Sequence, residues 1–196
     1  MPYWTTDIGA FFVKRGAPWY WRGDFDRCFD DLGYRELFTR WYQWAVFLPV
    51  FRGHGTDCRR ELWYCANDDV PFYDVIIKMN RMRYELMPYI YSAAANCWVK
   101  DGTIMLPLAF DYPDDAIANK ITDQYMFGDS LMVCPVTEPM YYLPGSKKME
   151  AEKTRNPVSV FPVIPYILIW RFAFHVNPMF PFMPPNPGDA VFSPLI

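Results

Sequence analysis

From Arg35 onward the apolar positions fall into step. Leu37, Trp41, Trp44 and Leu48 follow one another at intervals of four, three and four, the spacing that lines one face of a helix. Pro49 ends or bends that helix. A longer run over 72–98 keeps the same period through Val75, Met79, Met82, Leu86 and Ile90, with Lys78, Arg81, Arg83 and Glu85 falling mostly on other faces. Pro88 lies inside this run and kinks it or divides it in two, and Gly102 follows its end. Elsewhere the pattern is short. Tyr3 and Trp4 favour a strand, and "DIGAFF" reads as the turn leaving it. Residues 14–33 form a loop rich in Gly, Asp, Trp and Arg. The apolar run from Trp44 to Val50, read as a buried strand, would emerge at "FRGHG". "IMLPLAF" and "SLMVCPVTE", bounded by Pro, Asp and Gly, read as strands of a second, β-rich module.

The pattern is lost at about Asn156. From there to Ile196 only Arg171 and Asp189 are charged, and nine of the chain's 19 prolines fall in this stretch. Pro162 and Pro165 break its apolar run, and a membrane helix needs about 20 apolar residues without such breaks, so no membrane partner is expected. A net charge of −3 gives no electrostatic footprint for nucleic acid. Aromatic residues make up 19% of the 196, which points to an aromatic-lined ligand site or to a core that expects more protein around it. The five cysteines are odd in number and no pair is spaced C-x-x-C. A zinc site and a disulfide framework are therefore not expected, and the cysteines read as small buried hydrophobes. Met1–Asp7 has no basic region followed by an apolar stretch, so it is not expected to be a signal peptide, and the compartment stays unassigned.

Two places could carry chemistry. In FRGHG an arginine and one of the chain's two histidines sit among glycines at the end of an apolar run. Such a layout suits the C-terminal end of a strand in a (β/α)8 barrel, where active sites lie. Arg52 offers a fixed fork of donors and His54 one or two more; both suit sugar hydroxyls or a carboxylate. The residues fit equally well a salt bridge from Arg52 to a neighbour and a loop capped by His54. Asp7 repeats the layout, with Gly9 and Phe11 close behind, an acid to accept from hydroxyls and a ring to pack on a pyranose face. It also suits an acid capping the following turn. The acids of "DFDRCFDD" do not have calcium-loop spacing, and no P-loop, dinucleotide fingerprint or G-x-S-x-G occurs.

"PYWTTDIGAFF", "YRELFTRWYQWAVFLPVFRGHGTD", "RMRYELMPYIYSAAA", "DGTIMLPLAFDYPDD" and "DQYMFGDSLMVCPVTEPMYYLPGS" together resemble glycoside hydrolase family 31, the α-glycosidases, and within it the bacterial α-xylosidase and α-glucosidase branch. The resemblance runs unbroken over residues 1 to 155. It implies that "PYWTTDIG" is the seventh and "FLPVFRGHG" the eighth strand of the family's barrel, with the 72–98 helix as its last. "TIMLPLAF" to "VCPVTE" would start a β-sandwich. It further implies that Asp7, Arg52 and His54 hold the sugar in the −1 subsite, that Phe11 is in the wall of that site and that Ile8 adjoins it. Ala10 stands where the family usually has a glycine, Gly53 replaces a common serine, and Cys58-Arg59 a common Thr-Pro.

The expected fold is therefore α/β. Residues 1–100 would be the last two strands and helices of a partial (β/α)8 TIM barrel, and 101–155 the start of a proximal β-sandwich domain. Residues 156–196 are a non-family tail, read as truncated or out of frame. Retaining glycosidases use two carboxylates roughly 5–5.5 Å apart. In the family both lie on earlier strands, so no catalytic residue is assigned here and the missing upstream barrel segment is an expected partner. The substrate implied is an α-linked glucoside or xyloside, with no metal or cofactor. A non-catalytic carbohydrate-contacting or interaction module and a non-functional truncated product are the other readings.

Overall fold

The computed structural model describes residues 3–15, 24–66 and 72–149. The proline-rich tail from 156, and its reading, lie outside the described residues.

Helix α1 spans Leu32–Ala45. Asp31 starts it as an N-cap in extended conformation, its side chain accepting the Gly33 N–H at 2.9 Å. Its buried face is Tyr34, Phe38, Tyr42 and Ala45. The expected apolar face is corrected: Leu37, Trp41 and Trp44 are only half-buried. The helix is aromatic on two sides, so spacing alone does not say which side meets the core. The helix stops before Pro49, and 46–50 are turns and bends, not the expected strand. Proline disfavours helical geometry in the residue before it.

The expected strand at Tyr3 and Trp4 is also absent. In its place two extended segments lie side by side and pair in parallel only once, at Ile8 and Gly53. Val50 N–H donates to Trp4 C=O at 3.2 Å and Ile8 N–H to Arg52 C=O at 3.4 Å. Both segments are too short on ladder bonds to count as strands, but their direction and adjacency are those of neighbours in a parallel sheet.

The long helical run is divided, as its proline requires, into α2, Phe72–Glu85, and α3, Met87–Lys100. Pro88 falls in the first turn of α3, where a missing N–H costs nothing. Asp101, in left-handed conformation at φ 53°, ends α3. Met79 and Ile90 are buried, with Val75, Met82 and Leu86 packed partly buried against the core. Arg83, expected on a polar face, is buried one turn from Met79.

Three short strands then form an antiparallel sheet: β1 Met105–Pro107, β2 Tyr125–Phe127 and β3 Leu131–Val133, in that order. A short helix α4, Leu108–Asp111, interrupts what reads as a strand in "IMLPLAF". A hairpin of β4, Tyr142–Leu143, and β5, Lys147–Lys148, closes the described chain. It returns to α1, where two buried acids receive it. Glu36 accepts the N–H groups of Met140, Tyr141 and Tyr142 at 2.8, 3.0 and 2.7 Å. Asp31 accepts those of Gly145 and Ser146 at 2.7 and 2.9 Å.

The expectation that no cysteines pair is corrected. Cys28 and Cys58 form a disulfide with Cα atoms 5.7 Å apart. They are 30 residues apart in sequence, and nothing in their spacing brings them together. Cys65 and Cys97 are buried thiols, as expected of small hydrophobes.

The core is rich in phenols. Burial pushes Tyr34 and Tyr125 well up from the ordinary tyrosine value, Tyr42 up to about 12 and the Cys65 thiol up to about 11. In the unfolded chain the same groups lose protons near pH 9 for Cys and 10 for Tyr. Above those values the unfolded state binds fewer protons than the folded one, so stability falls as pH rises. The stabilisation is intact below about pH 9 and is lost progressively towards pH 11–12. Urea midpoints measured from pH 7 to 11 should decline from about pH 9; a flat profile would contradict the buried placement of these groups.

Candidate functional site

The two extended segments deliver the sequence-derived candidates to one place. Asp7 and Arg52 end them, and the Arg52 guanidinium donates to Asp7 Oδ1 at 2.5 Å. The Arg52 side chain is 49% exposed and that of Asp7 25%, so the pair lies at the surface with room for a further partner. Asp7 does not cap its turn with its side chain. The backbone closes it, with Ala10 N–H donating to Asp7 C=O at 2.9 Å. Gly9 takes φ +81° in this turn, where a Cβ would sit 2.5 Å from Phe38 Cδ2, so no other residue fits. Ala10 follows at φ 64°, a left-handed conformation that glycine adopts without the steric cost of a Cβ. Ile8 is buried beneath the pair at 1% exposure and serves as core, not surface.

Phe11 leaves the turn, and its ring centre lies 5.3 Å from that of His54, tilted by 49°. His54 is exposed and Phe11 half-buried. The structure thus brings together Asp7 with Arg52 and Phe11 with His54, in two loops that follow two parallel segments. Chemically this is an acceptor, a donor fork, an imidazole and an aromatic face on one edge, a set suited to a polyhydroxylated ring.

Three residues that support the edge escaped the sequence reading. Arg83 of α2 donates from its guanidinium to the carbonyls of Val46, Leu48 and Pro49 at 2.6, 2.6 and 3.0 Å, and its Cζ lies 5.5 Å over the Phe51 ring. It holds the bends just before Arg52, and burial lowers its pKa. Asp57 and Arg60 bind the two loops to each other: Asp57 Oδ2 accepts Val13 and Lys14 N–H, both at 2.8 Å, and Arg60 donates to Ala10 C=O at 2.6 Å. None of these contacts is local, so no periodicity marks them.

A cleft of ≈ 1280 Å³ lies elsewhere, between the Leu37, Trp41 and Trp44 face of α1 and the β1–β2 edge. None of Asp7, Phe11, Arg52 or His54 lines it, and Glu36 on its wall already spends both carboxylate oxygens on backbone N–H groups. Among the described residues no cluster of three or more His, Cys, Asp or Glu could hold a metal, and no helix is long and apolar enough to cross a membrane.

Comparison with known proteins bears on this arrangement. Residues 1–93 match the glycosyl hydrolases family 31 TIM-barrel domain, and 101–159 the glycosyl hydrolase family 31 C-terminal domain. The α-xylosidase of Saccharolobus solfataricus is 39% identical over 152 residues, covering 75% of this chain and 19% of its own length. Neutral α-glucosidase C of Mus musculus is 39% identical over 121 residues, covering 58% of this chain and 13% of its own. The crystal structure of the family 31 α-xylosidase from Xanthomonas citri superposes with a TM-score of 0.60 at 40% identity, over 70% of this chain and 14% of that one. The chain thus spans about a fifth or less of the length of each of these relatives.

Proposed function

Since the chain belongs to glycoside hydrolase family 31, we propose that it forms the sugar-holding edge of a retaining α-glycosidase acting on α-linked xylosides or glucosides. Residues 1–100 are the last part of the catalytic barrel, 101–155 the start of a proximal β-sandwich, and 156–196 an appended tail. In this reading Asp7, Arg52 and His54 hold the hydroxyls of the −1 sugar, Phe11 walls the site, and Ile8 supports it from beneath. The observation that carries the reading is the Arg52–Asp7 contact at 2.5 Å, which joins two parallel segments at the point where both turn outward beside the Phe11–His54 pair.

The roles follow from the geometry. Arg52 turns one edge of its fork to Asp7, which fixes both side chains and leaves other guanidinium N–H groups for a substrate oxygen. Asp7 keeps acceptor capacity for a hydroxyl, and the exposed His54 adds a donor beside the Phe11 ring. These groups bind and orient. Protonating the leaving oxygen and attacking the anomeric carbon need two further carboxylates. Asp7 is engaged by Arg52 and Asp57 by two backbone N–H groups, so neither takes those roles. The catalytic pair comes from barrel strands that precede this segment in the family.

The test is to purify the chain and assay it against aryl α-xyloside and α-glucoside, alone and mixed with a polypeptide carrying the six preceding barrel strands of a relative. The expected result is no turnover alone and turnover on mixing. In the mixture, His54→Ala should lose one hydrogen bond, about 0.5–1.5 kcal/mol if neutral and about 1.5–3 if charged, and lower kcat/KM accordingly. Turnover by the chain alone that Asp7→Asn abolishes would overturn the assignment of roles. Unchanged kinetics in His54→Ala would remove that residue from the site.

A further inference from the structure

Phe11 and His54 belong to loops that share no helix or sheet beyond the single bridge at Ile8 and Gly53, yet their rings lie 5.3 Å apart. What sets that spacing is the segment just after His54. Thr56 N–H donates to Phe11 C=O at 3.0 Å. Asp57 Oδ2 takes two consecutive N–H groups, Val13 and Lys14, on the C-terminal side of Phe11. Arg60 donates to Ala10 C=O on its N-terminal side. Phe11 is thus held from before, at and after its own position by residues two to six places beyond His54. Arg60 is itself enclosed: its side chain is 8% exposed, 4.0 Å from Asp57 and 5.8 Å over the Tyr34 ring. The Cys28–Cys58 disulfide anchors the middle of the same segment to the loop before α1.

We propose that Asp57 and Arg60 are positioning residues that set the spacing between Phe11 and His54, and so the width of the sugar-holding edge, by clamping two loops through their backbones. They act through Phe11 and His54 and do not touch the sugar. Calling that edge sugar-holding rests on the function proposed above; the clamp itself is a matter of loop geometry and is tested without sugar.

Both acceptor bonds of Asp57 land on one oxygen, which makes a sharp distinction among substitutions. Asparagine retains one carbonyl oxygen and can keep both bonds, whereas alanine loses both. In Arg60→Lys the charge is retained but the planar fork is lost.

The readout is the His54 ring signal in proton NMR of the full chain. His54 and His175 are the only histidines, so a His175→Gln variant identifies it. Phe11→Leu gives the position of the His54 signal without the neighbouring ring. In folded Asp57→Ala the His54 signal should move towards the Phe11→Leu position, in Arg60→Lys part of the way, and in Asp57→Asn it should stay at the parent position. A merely structural role would lower the urea midpoint and leave the signal of the folded form in place, which would overturn the proposal. So would a Phe11→Leu variant whose His54 signal matches the parent, since the two rings would then not be neighbours. If Asp57→Ala does not fold, Arg60→Lys and Asp57→Asn carry the same comparison, and a pair with identical signals overturns the clamp. Titration with xylose or glucose, in the mixture with the six preceding barrel strands, separates the two readings: a clamp seen in the His54 signal of a mixture that binds no sugar removes the sugar reading and keeps the clamp.

Discussion

Arg83→Met should lower the stability of the chain by about 3–5 kcal/mol, since each buried acceptor left without its partner costs about 1–3 kcal/mol. The substitution keeps an apolar stem but loses the guanidinium that lies over the Phe51 ring. It removes the guanidinium that answers the carbonyls of Val46, Leu48 and Pro49, in a region where Val46 and Leu48 are fully buried. Water cannot reach these groups without opening the core. The desolvated cation is removed too, which offsets part of the loss, because an unpaired buried charge is itself unfavourable. Arg83→Lys should fall between, since one ammonium cannot meet three carbonyls in the plane that suits a guanidinium. Against a domain stability of about 5–15 kcal/mol, the Met variant would lose a large fraction of the whole. Urea unfolding followed by tryptophan fluorescence measures it. An unchanged midpoint with an unchanged m-value would mean that the bends at 46–49 hold without Arg83.

Glu36→Ala should cost about 2–4 kcal/mol, on the scale of two or three charge-assisted hydrogen bonds of about 1.5–3 kcal/mol each, less what water restores. Glu36 is 1% exposed, while Tyr141 at the surface can turn to solvent. The effect should be local in origin. Amide exchange should accelerate first at Met140, Tyr141 and Tyr142, and only afterwards in α1. Glu36→Gln should be intermediate: its amide nitrogen must face one of three N–H donors that now meet oxygens. Parent-like exchange at all three amides in Glu36→Ala would show that the hairpin is held by other contacts, of which Asp31 is the foremost.

These residues also mark where reading the sequence stops. The split of the long helical run at Pro88 was legible because proline acts on its own neighbours. Gly9 beside Asp7 was legible as a turn for the same reason. Arg83 and Glu36 were not: each is a charged residue in a helix, and burial is made tolerable by three backbone carbonyls around Arg83 and, around Glu36, by the N–H groups of 140–142 together with the Arg40 guanidinium 3.6 Å away. Helix α1 was found but turned to the wrong face, because Tyr34, Phe38 and Tyr42 keep the same period as Leu37, Trp41 and Trp44. The parallel segments read as strands because their residues favour extended backbone; their ladder is too sparse to earn the name. β2, β4 and β5 are two or three residues long and carry no period to detect. For the candidate site, the types and places of Asp7, Arg52, Phe11 and His54 were legible, and their partnership across 45 residues came from family resemblance and then from the fold. The Cys28–Cys58 link depends on a loop geometry that composition does not encode.

The way α1 receives the final hairpin bears on how such enzymes can be recombined. The two family regions abut near residue 100 in the sequence, an inviting place for a crossover between homologous genes. In space the junction is not there. Asp31 and Glu36 belong to the first region and hold 140–146 of the second through five backbone N–H groups. A parent that contributes only the later region donates those amides without the acids that receive them. The hairpin adds side chains of its own, Ser146 accepting the Leu32 N–H, Tyr141 under Arg40 and Tyr142 against Phe72. A chimera therefore keeps this junction where its first-region parent carries acids at the N-cap and at position 36 and its hairpin parent carries side chains that fit those partners.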